Sequence, residues 1–157
     1  MIEMNENLMR RGGNMAIFTF ENEEVKEREE ERVRTLFKLI KTESATNTWI
    51  LVKEKKKNPT YWSGTYYNKH VHGFRKRHKK YLRSNQPIYN INHLIVLRIG
   101  KEVKTSHLAN LIAHEYAHLL QYHNGFRRMT RGREKHANRW AIYRINQIKH
   151  LLPTEKN

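Results

Sequence analysis

The sequence predicts an α+β fold: an N-terminal helix, a small three-stranded and mostly antiparallel sheet, and two further helices. Three observations predict it. Residues 91–99 (I-N-H-L-I-V-L-R-I) carry apolar side chains in strand-like alternation and end at Gly100. Residues 23–41 and 105–123 carry theirs at helical spacing instead. At 157 residues the chain has the length of one domain, enough to bury a core.

Each element has a local cause. Residues 1–15 are polar and Met-rich, with Gly12-Gly13, and are expected to be a mobile tail ahead of a single domain over 16–157. Ala16–Phe20 can form a short strand. Asn22 can cap a helix running to about Lys41, with Val25, Val33, Leu36, Phe37 and Ile40 as its apolar face. Its Glu-rich first turns suit the positive end of the helix dipole. Thr48–Lys53 reads as the first strand of the sheet and Tyr61–Val71 as the second, after a charged turn ending at Pro59. Gly73–Arg83 is a basic connection. In the third strand, Ile91–Ile99, His93, Ile95, Leu97 and Ile99 share one face with Ile91, and Leu94 and Val96 take the other. A helix follows, with Thr105 or Ser106 as cap and His123-Asn124-Gly125 as stop, glycine falling at the C′ position. A loop to about Gly132 leads into a last helix that ends near Leu152, before Pro153.

Composition narrows the chemistry. The absence of cysteine rules out disulfides and thiolate metal sites, so any metal is held by His and carboxylate. No apolar run has the length of a membrane span and no signal-peptide core is present, so a soluble, cytoplasmic protein is expected. The net charge of +16 is unevenly placed. Residues 1–44 hold 8 Lys/Arg against 10 Glu; residues 45–157 hold 23 against 5 acids, two of which are Glu115 and Glu134. Such a surface attracts polyanions, nucleic acid first.

Residues 114–118 read His114-Glu115-Tyr116-Ala117-His118, an H-E-x-x-H pentapeptide inside the predicted helix. A helix turns about 100° per residue, so positions i and i+4 are about 40° apart and one turn along. Both imidazoles can reach one metal ion, and Glu115 can face water beside it. This is the signature of zincin metallopeptidases, and it implies a zincin-like domain with zinc as cofactor. Zinc needs three protein ligands and an open position. His123 points away from the pair, which leaves Glu134 and His136, about 200° apart on a continuous helix. Ala137, Ala141, Ile145 and Ile148 form an apolar stripe with Glu134 in line, which favours Glu134 if the helix includes it.

Two family resemblances divide on this point. Glu134-x-x-Ala137-Asn138-x-x-Ala141 resembles the second motif of the ImmA/IrrE-like metallopeptidases, where a glutamate completes the site. H-E-Y-A-H-L-L-Q-Y followed by R-E-K-H-A-N-R-W resembles the SprT-like (Spartan-type) family, where a histidine four residues before a Trp or Phe is the ligand; here these are His136 and Trp140. The SprT-like pattern has Gly after that histidine, where this chain has Ala137. The SprT-like likeness spans about Ile91 to Ile145, and on it His136 is the preferred third ligand, with Glu134 the alternative.

The expected reaction is zinc-dependent endopeptidase cleavage of a protein or peptide, with Glu115 as general base. Tyr122, Tyr143 and the Arg127, Arg128 and Arg131 group are candidates for stabilising the oxyanion. The SprT-like resemblance implies substrates held on DNA; the ImmA/IrrE-like one implies a repressor. A third reading is a non-catalytic basic nucleic-acid-binding protein on a zincin scaffold. Residues 61–83 mix Tyr61, Trp62, Tyr66, Tyr67, Phe74 and Tyr81 with Arg75, Lys76, Arg77, Lys79 and Lys80, a composition suited to single-stranded DNA if the aromatics are exposed. If they pack in the sheet instead, only the cations remain for phosphate. The oligomeric state is not legible.

Overall fold

The computed structural model of the chain describes residues 16–42, 47–82, 90–125 and 132–154. The tail expected at 1–15 lies outside the described residues. Strand β1 (Ala16–Phe20) leads into helix α1 (Glu23–Ile40), then strands β2 (Thr48–Glu54) and β3 (Trp62–Asn68). A four-residue helix α2 (Lys76–Lys79) follows, then β4 (His93–Ile99), helix α3 (Thr105–His123) and helix α4 (Gly132–Ile148), which ends in a 3-10 turn over Lys149–Leu151.

The sheet has four strands in the order β1-β2-β4-β3. This corrects the expected three-stranded, mostly antiparallel sheet: β1 pairs parallel with β2, β2 parallel with β4, and only β3 with β4 is antiparallel. The cause is topological. Helix α1 carries the chain from the end of β1 back to the start of β2, and such a crossover leaves the two strands parallel. The residue pattern held a trace of this. T-W-I-L-V and H-L-I-V-L are nearly unbroken apolar runs, as strands covered on both faces require.

Both faces of the sheet are indeed covered. On one, Ile50, Val52, Ile95, Leu97 and Ile99 pack with α1, α3 and α4. On the other, Ile17, Trp49, Leu51, Leu94 and Val96 pack beneath Tyr67, Phe74, Tyr81 and Leu82. Residues 74–82 of the basic connection therefore cover the second face, with Phe74 set edge-on to Trp49.

Local signals explain the helices. Asn22 caps α1 by accepting the Val25 N–H. Helix α3 starts after Lys104 without a side-chain cap, so neither Thr105 nor Ser106 takes that role. It stops as expected: Asn124 is its C-cap and Gly125 has φ +83°, the left-handed conformation that glycine adopts without steric cost. Tyr116 on α3 is fully buried between Phe37 of α1 and Trp140 of α4. Arg144 of α4 donates to the carbonyls of Leu39, Ile40 and Lys41, satisfying the C-terminal end of α1. These contacts fix α4 alongside α3. The acidic face of α1 is used internally: buried Glu29 is gripped by Arg28 and Arg32, and Glu30 pairs with Arg34. No described helix is long and apolar enough to cross a membrane.

Candidate metal centre

Helix α3 brings the first two donors together. The Nε2 atoms of His114 and His118, one helical turn apart, stand 3.2 Å from each other. The third group comes from the first turn of α4. Each carboxylate oxygen of Glu134 lies 2.9 Å from one histidine Nε2. These donors all lie within 4.8 Å of one another and form the only such group among the described residues. Two imidazoles and a carboxylate converging in this way are a donor set suited to a first-row divalent metal.

Of the two candidates for the third donor, the structure brings Glu134, the alternative, to the histidine pair, and not His136. Helix α4 begins at Gly132, two residues before Glu134, so Glu134 is helical and follows the stripe that α4 buries through Ala137, Ala141 and Ile148. His136 is turned away by helical geometry. Its Nδ1 accepts a hydrogen bond from Gln121 Nε2 at 2.9 Å.

Gln121 does more than hold His136. It is fully buried, and its Nε2 also donates to the Arg133 carbonyl at 2.8 Å. Its Oε1 is therefore the side that meets His118 Nδ1, at 3.0 Å. An amide oxygen only accepts, so His118 carries its proton on Nδ1. The Nε2 lone pair is then directed at the Glu134 and His114 side, as a metal ligand needs. Burial holds the His118 imidazole below its ordinary pKa, which favours the neutral ligand form. Sequence reasoning missed Gln121. The signal was its place three residues after His118, within reach on the same helix.

Glu115 is 5% exposed, and burial, followed by the nearby Glu134 charge, pushes its carboxyl up to about 8. It lies against Gly64 in the middle of β3. A Cβ at Gly64 would stand 2.8 Å from Glu115 Cγ and 2.9 Å from Leu111 Cδ1. The glycine is thus the notch that admits Glu115 beneath the strand, a close approach of the kind that interior strand glycines mark. Sequence reasoning passed over it.

A cleft of about 270 Å³ opens over these groups. Residues Gly64, Thr65 and Tyr66 of β3 line one part of it, and His72, Tyr122 and Arg133 another. Because β3 is last in the strand order, its outer edge carries no strand among the described residues. Of the candidate oxyanion donors, Tyr122 lines this cleft, whereas Tyr143 is exposed and accepts from Gln147. Arg127, Arg128 and Arg131 lie outside the described residues.

The predicted basic segment lies elsewhere. Arg75, Lys76, Arg77, Lys79 and Lys80 are all exposed on or beside α2, over the second face of the sheet. Gly64 and the cleft belong to the first face. Burial first, and after it the charges of Arg98, Lys80 and Arg77, lower the pKa of Lys53. These cations therefore form one patch. Tyr67, Phe74 and Tyr81 pack inward beneath it, and only Tyr61 and Trp62 of the six aromatics are exposed.

No protein-family model, curated protein or solved structure matches the chain.

Proposed function

We propose that the chain is a zinc-dependent peptidase. One observation carries the reading: His114, His118 and Glu134 converge on a single point with Glu115 buried beside them at the floor of an open cleft. A zinc ion held by those three residues would supply Lewis acidity toward a carbonyl and toward water. Glu115 takes the proton of the attacking water and passes it to the leaving amine. The open edge of β3 pairs with an extended peptide through backbone hydrogen bonds and so lays it over Gly64 and Glu115.

A glutamate as third donor favours the ImmA/IrrE-like reading, a regulatory peptidase that cuts a repressor, over the SprT-like one. The basic patch on the opposite face suits a substrate associated with nucleic acid. It holds phosphate by charge, while the inward packing of Phe74, Tyr81 and Tyr67 removes most of the stacking surface a single strand would use.

The test is hydrolysis of casein and of a basic DNA-binding protein by the zinc-loaded chain, with and without single-stranded DNA. Glu115→Gln is expected to retain zinc and lose cleavage. Equal cleavage by that variant overturns the peptidase reading. Cleavage that requires DNA favours the SprT-like role, and cleavage indifferent to DNA the repressor-cutting one. Zinc binding and tight DNA binding with no cleavage of either protein favour the binding-protein alternative.

A further inference from the structure

We infer that Tyr122 is the catalytic residue that stabilises the oxyanion when a peptide carbonyl is attacked in this cleft. The inference rests on the peptidase reading and supplies the group that reading leaves open. Tyr122 follows His118 by four residues and His114 by eight. Successive offsets of about 40° keep the three side chains on one stripe of α3. The ring is 6% exposed and lines the same cleft as both histidines, Glu115 and Glu134.

The hydrogen bonds at its phenol oxygen determine where its proton points. Arg133 Nη1 donates to that oxygen at 2.7 Å. His72 Nε2 stands 3.4 Å away. The other nitrogen of that ring, His72 Nδ1, accepts the Asn68 backbone N–H at 2.8 Å. A nitrogen that accepts an N–H carries no proton of its own, so in the neutral ring the proton sits on Nε2 and faces Tyr122. Burial, and after it the charge of Arg133, hold His72 below its ordinary pKa and favour that neutral ring. Both neighbours of the phenol oxygen are therefore donors. Tyr122 accepts from each, and its own O–H is left to donate into the cleft.

The phenol is also held in place. The Arg133 guanidinium lies 4.9 Å from its ring centroid, and the Tyr66 ring packs against it at 5.3 Å. A phenol that accepts from a guanidinium is polarised into a stronger donor. A fixed, polarised donor in a partly enclosed site is what a developing oxyanion requires. In the reaction, water adds to the carbonyl carbon and its proton goes to Glu115. The carbonyl π electrons move onto oxygen, where Tyr122 donates a hydrogen bond without giving up its proton. Collapse restores the carbonyl and expels the amine, which takes the proton from Glu115.

The test uses the full chain loaded with zinc and has three readouts: zinc affinity by competition with a chromophoric chelator, acetohydroxamate affinity by calorimetry, and casein hydrolysis. Tyr122→Phe is expected to keep zinc affinity within about twofold and to lower kcat about 100- to 1000-fold at unchanged KM. It is also expected to weaken acetohydroxamate about tenfold, because the bound oxygen loses its donor. Wild-type kcat and hydroxamate affinity in the variant overturn the inference, as does parallel loss of zinc, KM and kcat, which would mark a structural role. If the wild-type chain cleaves no casein, the peptidase reading has failed there. The hydroxamate comparison still decides whether Tyr122 donates into the site. His72→Leu is expected to lower kcat in the wild-type background and to add nothing to Tyr122→Phe. Additive losses would show that His72 does not act through Tyr122.

Discussion

In the metal-free protein, replacing Glu115 with glutamine should raise stability at neutral pH and leave it little changed in acid. The carboxyl is 5% exposed and its pKa stands at about 8, against an ordinary value near 4.5, because burial and the Glu134 charge disfavour the anion. The sign follows from linkage. The folded state binds the proton more tightly than the unfolded chain, so the full benefit is present below about pH 4.5. It is lost as pH rises and is gone above about pH 8. A shift of about 3.5 units at 1.36 kcal/mol per unit gives a loss of about 4–5 kcal/mol across that window, with about 3 kcal/mol of it reached by pH 7. Glutamine occupies the same space and does not titrate. Urea unfolding of both proteins in chelator, at pH steps from 4.5 to 8.5, measures the difference directly. It should grow steadily in favour of the variant between those limits. A stability difference flat with pH would refute the claim that Glu115 is held in an environment hostile to its charge.

Other outcomes follow from the same geometry. Gly64→Ala places a methyl group 2.8 Å from Glu115 Cγ, so it should cost about 1–3 kcal/mol in a thermal melt and lower hydrolysis more than zinc affinity. Glu134→Ala should weaken zinc by about 100-fold or more in a chelator competition, while His136→Ala should weaken it by less than about tenfold; the reverse order would make His136 the ligand. Gln121→Leu removes the acceptor that orients His118, and zinc affinity should fall about 10- to 100-fold in the same assay. Charge reversal at Arg75, Arg77 and Lys79 should weaken duplex or single-stranded DNA binding. It should also flatten the dependence of log affinity on log salt by about 0.7–0.9 for each phosphate the patch no longer neutralises.

Much of the centre was written locally. The i, i+4 histidines and their neighbouring glutamate need only a helix, and the helix was marked by its apolar stripe and the glycine stop at Gly125. The cap at Asn22, both central strands and the extent of the last helix were legible for the same reason, since each depends on residues within a few positions of one another. The Glu134 stripe was legible too. The preference for His136 came instead from a short motif likeness and from a helix start near His136, whereas α4 begins at Gly132.

Tertiary structure decided what rests on distant pairs. The parallel pairing of β1 with β2 joins residues about 32 positions apart, and no local pattern specifies it. Gly64 gains its meaning from Glu115 across the strand–helix interface, and Gln121 from His136 and Arg133 on another helix. Amphipathic aromatics such as Phe74 and Tyr81 could equally cover a sheet or face a nucleic acid; only the apolar face that Leu94 and Val96 present draws them inward. Local spacing marked the groups with the chemistry to hold a metal or take a proton. The fold decided which of them meet, because convergence depends on how helices and strands pack and not on spacing along the chain.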